Sequence, residues 1–265
     1  MSLFTDGPPA TIDDLRRYDS AADSLSRDAG VDLDAKLSVA AEEVGQELFT
    51  FLLFLCPAQG SAASPYSNTP PAEEARRRIG LADVVVSEPL RRWHAMRALA
   101  GLYRDLYCSD VTDRYKNKWD SYEILAKQTA EYTFSTGIGI CRNPVPKAPV
   151  ALVSQTSQTA ARVDCSIYLT WVRATGEEGA PGEMWQASMG PGDQVIAALP
   201  APDGITGWNV YLGLDQNAAL KQNSAPLPVD APYTIPTGLT HSGSPLGDGQ
   251  KADILVVERR MIPRG

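Results

Sequence analysis

Hydrophobic residues follow two different periods along this chain. Up to about residue 141 they recur every three or four positions, the period of a helix with one buried face. Beyond about residue 150 they alternate with polar residues, the period of a half-buried strand. In the first regime Thr11 is placed to cap a helix whose stripe is Ile12, Leu15, Ala22 and Leu25, ended by Gly30. A second helix is expected from near Asp32, with Leu33, Leu37, Ala40, Val44, Leu48, Phe51 and Leu55 on one face and Pro57 stopping it. A third starts after Ser87, with Pro89 tolerated in its first turn. Leu90, Trp93, Met96, Ala100, Tyr103 and Tyr107 line one face of it, and Leu99, Leu102 and Leu106 widen that face. A helix apolar over so much of its circumference belongs at the centre of a bundle. The fourth, from about Thr112 to Gly137, carries Tyr115, Trp119, Tyr122, Ala126, Thr129 and Thr133 in alternating steps of four and three, a packing seam. Its charges, Arg114, Lys116, Lys118 and Asp120, fall on the outer face.

Two stretches break the helical period. Pro57 to Pro71, "PAQGSAASPYSNTPP", holds too little apolar surface to pack and reads as a long exposed loop. "PPAEEARRRIG" after it reads as a short helix, proline at its start and Gly80 past its end. "RNPVPKAPV", Arg142 to Val150, has three prolines in close succession and reads as a stiff connector. The expected organisation is an α-helical domain over 1–141, a proline-rich linker over 142–149 and a β-domain over 150–265. In that β-domain "VDCSIYLTWV" alternates, with Val163, Cys165, Ile167, Leu169 and Trp171 on one face. "DQVIAAL", "WNVYLGL" and a closing "ADILVVERR" supply further strands between Gly- and Pro-rich turns. That spacing predicts an all-β sandwich of immunoglobulin or fibronectin type III kind.

Composition narrows the function classes. The 265 residues carry 24 Lys and Arg against 32 Asp and Glu, a formal charge of −8, which disfavours a sequence-independent grip on nucleic acid. The first residues show no basic segment followed by an apolar one, so no secretory leader is expected. The most apolar run, Leu48 to Cys56, is about half the ~20 residues a membrane span needs, so no membrane partner is expected. The four cysteines, Cys56, Cys108, Cys141 and Cys165, form no CxxC pair and read as buried free thiols in a reducing compartment.

Candidate chemistry is thin. Of the two histidines, His94 sits in the third helix and reads as a satisfied packing residue; His241 lies in a loop, and no GxSxG elbow accompanies either. Zinc ligands are not clustered, and Asp248 or Glu177 and Glu178 lack the spaced oxygens of a calcium loop. "STGIGICR" is not a phosphate loop. Arg76 to Arg78 and Arg91–Arg92 have acidic neighbours and read as solvated or protein-contact faces. Trp208 alternates with Val210 and Leu212 and reads as core, not as a sugar platform. No enzyme, no cofactor and no metal is expected.

The helical pattern resembles one family. "PLRRWHAMRALAGLYRDLYCSDVTDRYKNKWDSYEILAKQTAEYTFSTGIGICRNPVPKAP", with its WH, YRD, DRY, KW and GIG elements and the closing N-P-V-P-K, is similar to tailed-bacteriophage head-to-tail adaptor (connector) proteins. "LRRYDSAADSLSRDAGVDLDAKLSVAAEEVGQELFTFLL" fits the same pattern, and the strand half looks like the immunoglobulin-like modules of phage structural proteins. The resemblance implies a virion neck protein, assembled in the host cytoplasm. Such a protein forms a ring, usually of twelve copies, under the portal protein. It extends the channel for genomic dsDNA without binding it specifically and offers a platform to the next neck or tail protein. It further implies interface segments in the loop (Pro57, Tyr66, Pro71) or in the tail (Arg259, Arg260, Met261, Pro263) that lock into a neighbour. A different class stays open, a surface or adhesin-like module whose sandwich binds glycan or a host receptor.

Overall fold

The structure, a computed structural model, describes residues 1–55, 79–109, 113–155, 162–197, 200–214, 218–236 and 243–257. Helices occupy the N-terminal part and antiparallel sheets the C-terminal part. The chain divides into two units, but its two ends are exchanged between them. Met1–Asp6 joins Asn143–Lys251 in the strand-rich unit, and Ala252–Val257 joins Gly7–Arg142 in the helical unit.

The helical unit begins with α1 (Ile12–Tyr18), started by a capping box. The Thr11 hydroxyl accepts from the Asp14 amide at 3.3 Å, and the Asp14 carboxylate accepts from the Thr11 amide at 2.9 Å. One continuous helix to Gly30 was expected; instead the chain leaves the helix at Asp19, in extended conformation, and restarts as α2 (Ala22–Ala29). The break turns the Asp19 carboxylate inward, where three side chains from distant helices donate to it. Gly30, at φ 67°, then ends α2.

Next come α3 (Leu33–Leu55), α4 (Glu88–Ser109) and α5 (Asp113–Thr136). On α3 the buried stripe runs Leu33, Leu37, Ala40, Val44, Leu48 and Leu52, so it shifts by one position at its end and leaves Phe51 half-buried. α4 packs against α1, α2, α3 and α5, which explains its wide apolar circumference. Its alanines 95, 98 and 100 are buried among these neighbours, where small side chains let helices approach closely. α5 buries Tyr122, Ala126, Thr129 and Thr133 on the expected seam and Ala130 beside it, while Tyr115 and Trp119 are only partly buried. Burying Leu15, Leu90, Leu99 and Leu102 completely supplies roughly 2 kcal/mol of transfer free energy for each.

A small antiparallel sheet closes this unit: β1 (Val84–Val85), β2 (Ile138–Ile140) and, from near the end of the chain, a strand over Ile254–Val256. That last strand was expected to complete the C-terminal sheets; it pairs with β2 instead, Ile254 opposite Ile140 and Val256 opposite Ile138. Two glycines permit the approach. Gly137 ends α5 at φ 109°, and a Cβ on Gly139 would stand 2.9 Å from the Ala252 Cβ.

The strand unit holds two antiparallel sheets. In the larger, β4 (Val163–Arg173) pairs with β5 (Trp185–Met189) on one side and β7 (Ile205–Gly213) on the other. β7 also pairs with β8 (Leu220–Lys221) and β9 (Leu227–Pro228). The register sets Ile167 opposite Leu212, Leu169 opposite Val210 and Trp171 opposite Trp208, and all six are buried. Val163, expected on that face, is exposed at the strand end. The smaller sheet is ordered β10 (Tyr233–Thr234), β6 (Gln194–Ile196), β3 (Leu152–Ser154). Both sheets feed one hydrophobic cluster, with Val195 from β6 fully buried among the β4 and β7 side chains. Numbered in chain order, Ile254–Val256 is β11.

The proline-rich segment is more than a connector. Asn143 onward belongs to the strand unit, and Val145, Ala148 and Ala151 are buried in its core. The prolines keep the backbone extended, and it passes Gly179 and Gly182, where the missing Cβ lets the two backbones approach.

Candidate functional site

Three polar constellations are built into the helical unit. The first surrounds Asp19, whose Oδ2 accepts from the Tyr103 hydroxyl at 2.7 Å, the Tyr122 hydroxyl at 2.9 Å and the Lys118 ammonium at 3.0 Å. Its Oδ1 accepts from the Ala21 amide at 3.1 Å. The two tyrosine rings stack at 5.5 Å, and the Lys118 ammonium lies over both. Burial alone would raise the Asp19 carboxyl, but the hydrogen bonds from Tyr103, Lys118 and Tyr122 outweigh it and hold the group below its ordinary value. Burial, and then the carboxylate they donate to, push both tyrosine hydroxyls well above their ordinary value. This arrangement holds a proton-donating ring firmly in place; it does not activate one. Lys118, on the outer face as expected and half-exposed there, also ties α5 to the α1–α2 break.

The second is His94, fully buried on α4. The Ala10 amide donates to its Nδ1 at 3.1 Å, so the proton sits on Nε2, which donates to the Leu37 carbonyl at 2.8 Å. Burial pushes its pKa down to about 4, and the Leu37 hydrogen bond only partly opposes this. Both ring nitrogens are occupied by backbone groups, so His94 is a structural tie between the start of the unit, α3 and α4.

The third is a groove of about 730 Å³ between α3, α4 and α5. Arg97 on α4 lies in it, flanked by Glu43 at 3.5 Å and Glu123 at 3.9 Å and hydrogen-bonded to Glu47. The rings of Phe51 and Phe134 meet there, 4.7 Å apart, and Trp93 stands edge-on to Phe134 at 5.3 Å. Arg104 lines it too, so two cations and three carboxylates beside an aromatic pair make a mixed charged and apolar recess.

In the strand unit, Glu178 accepts from the Tyr211 hydroxyl at 2.7 Å and from the Thr170 hydroxyl. Buried Asp193 pairs with Arg162 at 2.7 Å and accepts from the Gly190 amide. Glu177, weighed above for calcium, accepts from Thr175 and Asn143. Among the described residues no group of three or more His, Cys, Asp or Glu stands close enough to hold a metal ion. No helix there is long and apolar enough to cross a membrane. Of the cysteines, Cys141 and Cys165 are buried free thiols, burial raising each to about 11, whereas Cys108 is exposed rather than buried.

The segments expected to form interfaces, Pro57, Tyr66 and Pro71 in the loop and Arg259, Arg260, Met261 and Pro263 in the tail, lie outside the described residues. So do Cys56, Arg76 to Arg78, the short helix expected there, and His241. Sequence reasoning missed the Asp19 and Arg97 constellations, because each is assembled from residues about 25 to 100 positions apart. With this geometry in view, the chain was compared with known proteins: no protein family, no curated protein and no solved structure matches it.

Proposed function

We propose that this chain is a structural protein of a tailed-bacteriophage neck, a head-to-tail adaptor that assembles in a ring under the portal and extends the DNA channel. In this reading the strand unit is a two-sheet sandwich of immunoglobulin or fibronectin type III kind that projects from the neck toward tail components. The observation that carries the reading is the outward face of the bundle. Val39, Phe49 and Leu53 on α3 and Ile124 and Tyr132 on α5 are each about half exposed, and contact with a neighbouring subunit or the portal would bury them. The polar chemistry agrees: Asp19, Asp83, Asp193 and His94 are all buried and bonded within the fold, which suits a protein acting through surfaces. The net charge of −8 per chain, repeated around a ring, would repel passing DNA and let it slide.

The test is light scattering after size exclusion, on the full chain alone and mixed with a portal protein from the same genome. A ring-sized complex that forms only with portal supports the reading; no association at low and moderate salt refutes it. One observation favours a second reading. Trp185 on the edge strand β5 is 47 % exposed, a platform on which a sugar ring can stack. Glycan-array binding by the full chain that disappears with Trp185→Ala would select that surface-binding module.

A further inference from the structure

The segment from Gly7 to Gly30, which carries α1 and α2, has a slender hold on the long helices. Pro9, Ala10, Leu15, Asp19, Ala22 and Ser26 are its buried residues. Leu15 is its one large aliphatic side chain that is fully buried; Ile12 and Leu25 are only partly so. The ion pairs Arg16–Asp13, Arg16–Asp23, Arg17–Asp14 and Arg27–Asp23 lie within the segment and add nothing to its hold on α3, α4 and α5. Two polar pins fasten it: the Ala10 amide on His94 at 3.1 Å, and the Asp19 carboxylate under Tyr103, Tyr122 and Lys118. Beside the first pin a recess of about 420 Å³ lies between the segment, from Pro8 to Arg16, and Asp34 and Leu37 of α3. Both ends are glycines at positive φ, Gly7 at 141° and Gly30 at 67°, and a Cβ on either would meet no atom within 4 Å. The chain can swing at both points without disturbing packed neighbours.

We propose that Gly7–Gly30 is a strap that opens as one unit while α3, α4 and α5 stay folded, uncovering the Tyr103–Tyr122 face of α4 and α5. One pin serves both short helices, because Asp19 stands between them with its amide bonded to the Leu15 carbonyl and its own carbonyl to the Ala22 amide. Tyr103 and Tyr122 are 2 % and 7 % exposed with the strap closed. The open state presents two stacked phenols beside the Lys118 ammonium, a surface the closed state lacks. Few buried apolar contacts place this opening at the low-cost end of the fold's motions. Helices of seven and eight residues do not persist alone, so opening also frees their amides to exchange. The strap belongs to the single chain and is independent of the assembly reading.

Native-state hydrogen exchange on the full chain tests it. Amides of residues 12–18 and 22–29 are expected to share one opening level, reached more readily than that of α4. Their urea dependence should be the weaker, because less surface is exposed. Leu48→Ala removes a fully buried side chain about 16 Å along α3 from Leu37 and outside the core cluster that holds Leu15 and Ala22. It should speed exchange in α4 about thirtyfold or more and leave the strap amides within about twofold. Strap amides that accelerate with α4, or α1 and α2 amides that open at unrelated levels, overturn the proposal. If Leu48→Ala does not fold, the native chain decides: equal urea slopes for the strap and α4 overturn it.

Discussion

Lowering the pH should loosen the helical unit through one residue, His94. Its imidazole is neutral and buried, with Nδ1 accepting from Ala10 and Nε2 donating to Leu37. Its folded pKa is about 4 against an ordinary 6.5, so the unfolded chain binds the proton first. The neutral ring's contribution is therefore complete above about pH 6.5 and falls away as the pH drops through that value toward 4. The gap of about 2.5 units corresponds to about 3 kcal/mol in full, of which about 2 kcal/mol is gone by about pH 4.5. Protonation also turns Nδ1 into a donor facing the Ala10 amide, which then has lost its acceptor. The assay is urea unfolding followed by helical circular dichroism at several pH values, for the native chain and His94→Gln. The variant leaves the Ala10 amide short of an acceptor and should lose about 1–3 kcal/mol at neutral pH. Its deficit should shrink by about 2 kcal/mol between about pH 7 and pH 4.5 because it cannot titrate there. With two histidines in the chain, proton NMR of the imidazole resonances reads the pKa directly. A constant deficit across that range, or His94 titrating near 6.5, would refute the reasoning.

Other parts of the fold give equally direct outcomes. Asp19→Asn removes the charge that Lys118, Tyr103 and Tyr122 converge on; the half-exposed Lys118 stays solvated, so the cost in urea unfolding should be about 2–3 kcal/mol, more than Tyr122→Phe at about 1 kcal/mol. Gly182→Ala would set a Cβ 2.7 Å from the Pro149 carbonyl oxygen and 2.8 Å from that of Ala148. No rotamer relieves a clash with backbone, so a loss of about 1–3 kcal/mol is expected in thermal unfolding of the strand unit. Mass-mapped alkylation of the native chain near neutral pH should label exposed Cys108 and spare Cys141 and Cys165, whose buried thiols are raised to about 11; labelling of all three at similar rates would contradict the packing.

How far the sequence could be read depends on how far apart the interacting residues lie. The long helices and the α5 seam were legible because a helix declares its buried face within a few residues. Thr11 was a readable cap because its partner, Asp14, is three residues on. Ile138–Ile140 and Val84–Val85 were not readable as strands, being two or three residues long with no room to show a period. Asp19 carries no local signal; the tyrosines that draw it inward are 84 and 103 positions away. Lys118 is on the outer face as its position implies, but its bond to Asp19, 99 positions away, was not legible. The Arg97 recess needs α3, α4 and α5 side by side before its carboxylates meet.

By itself, then, the sequence determined the two periods of this protein: helices in its first part, alternating strands in its second, a central helix apolar nearly all round, and a net acidic surface. Those are properties of local patterning and composition. Tertiary structure alone decided that Ile254–Val256 pairs with Ile138–Ile140 and not with the strands before it, and that Met1–Asp6 joins the strand unit. It also decided that the Pro-rich segment is packed into a core, and which carboxylates are buried. An apolar strand carries the same alternation wherever it pairs. Its partner is chosen by which edge offers free backbone groups and which neighbours, such as Gly137 and Gly139, leave it room.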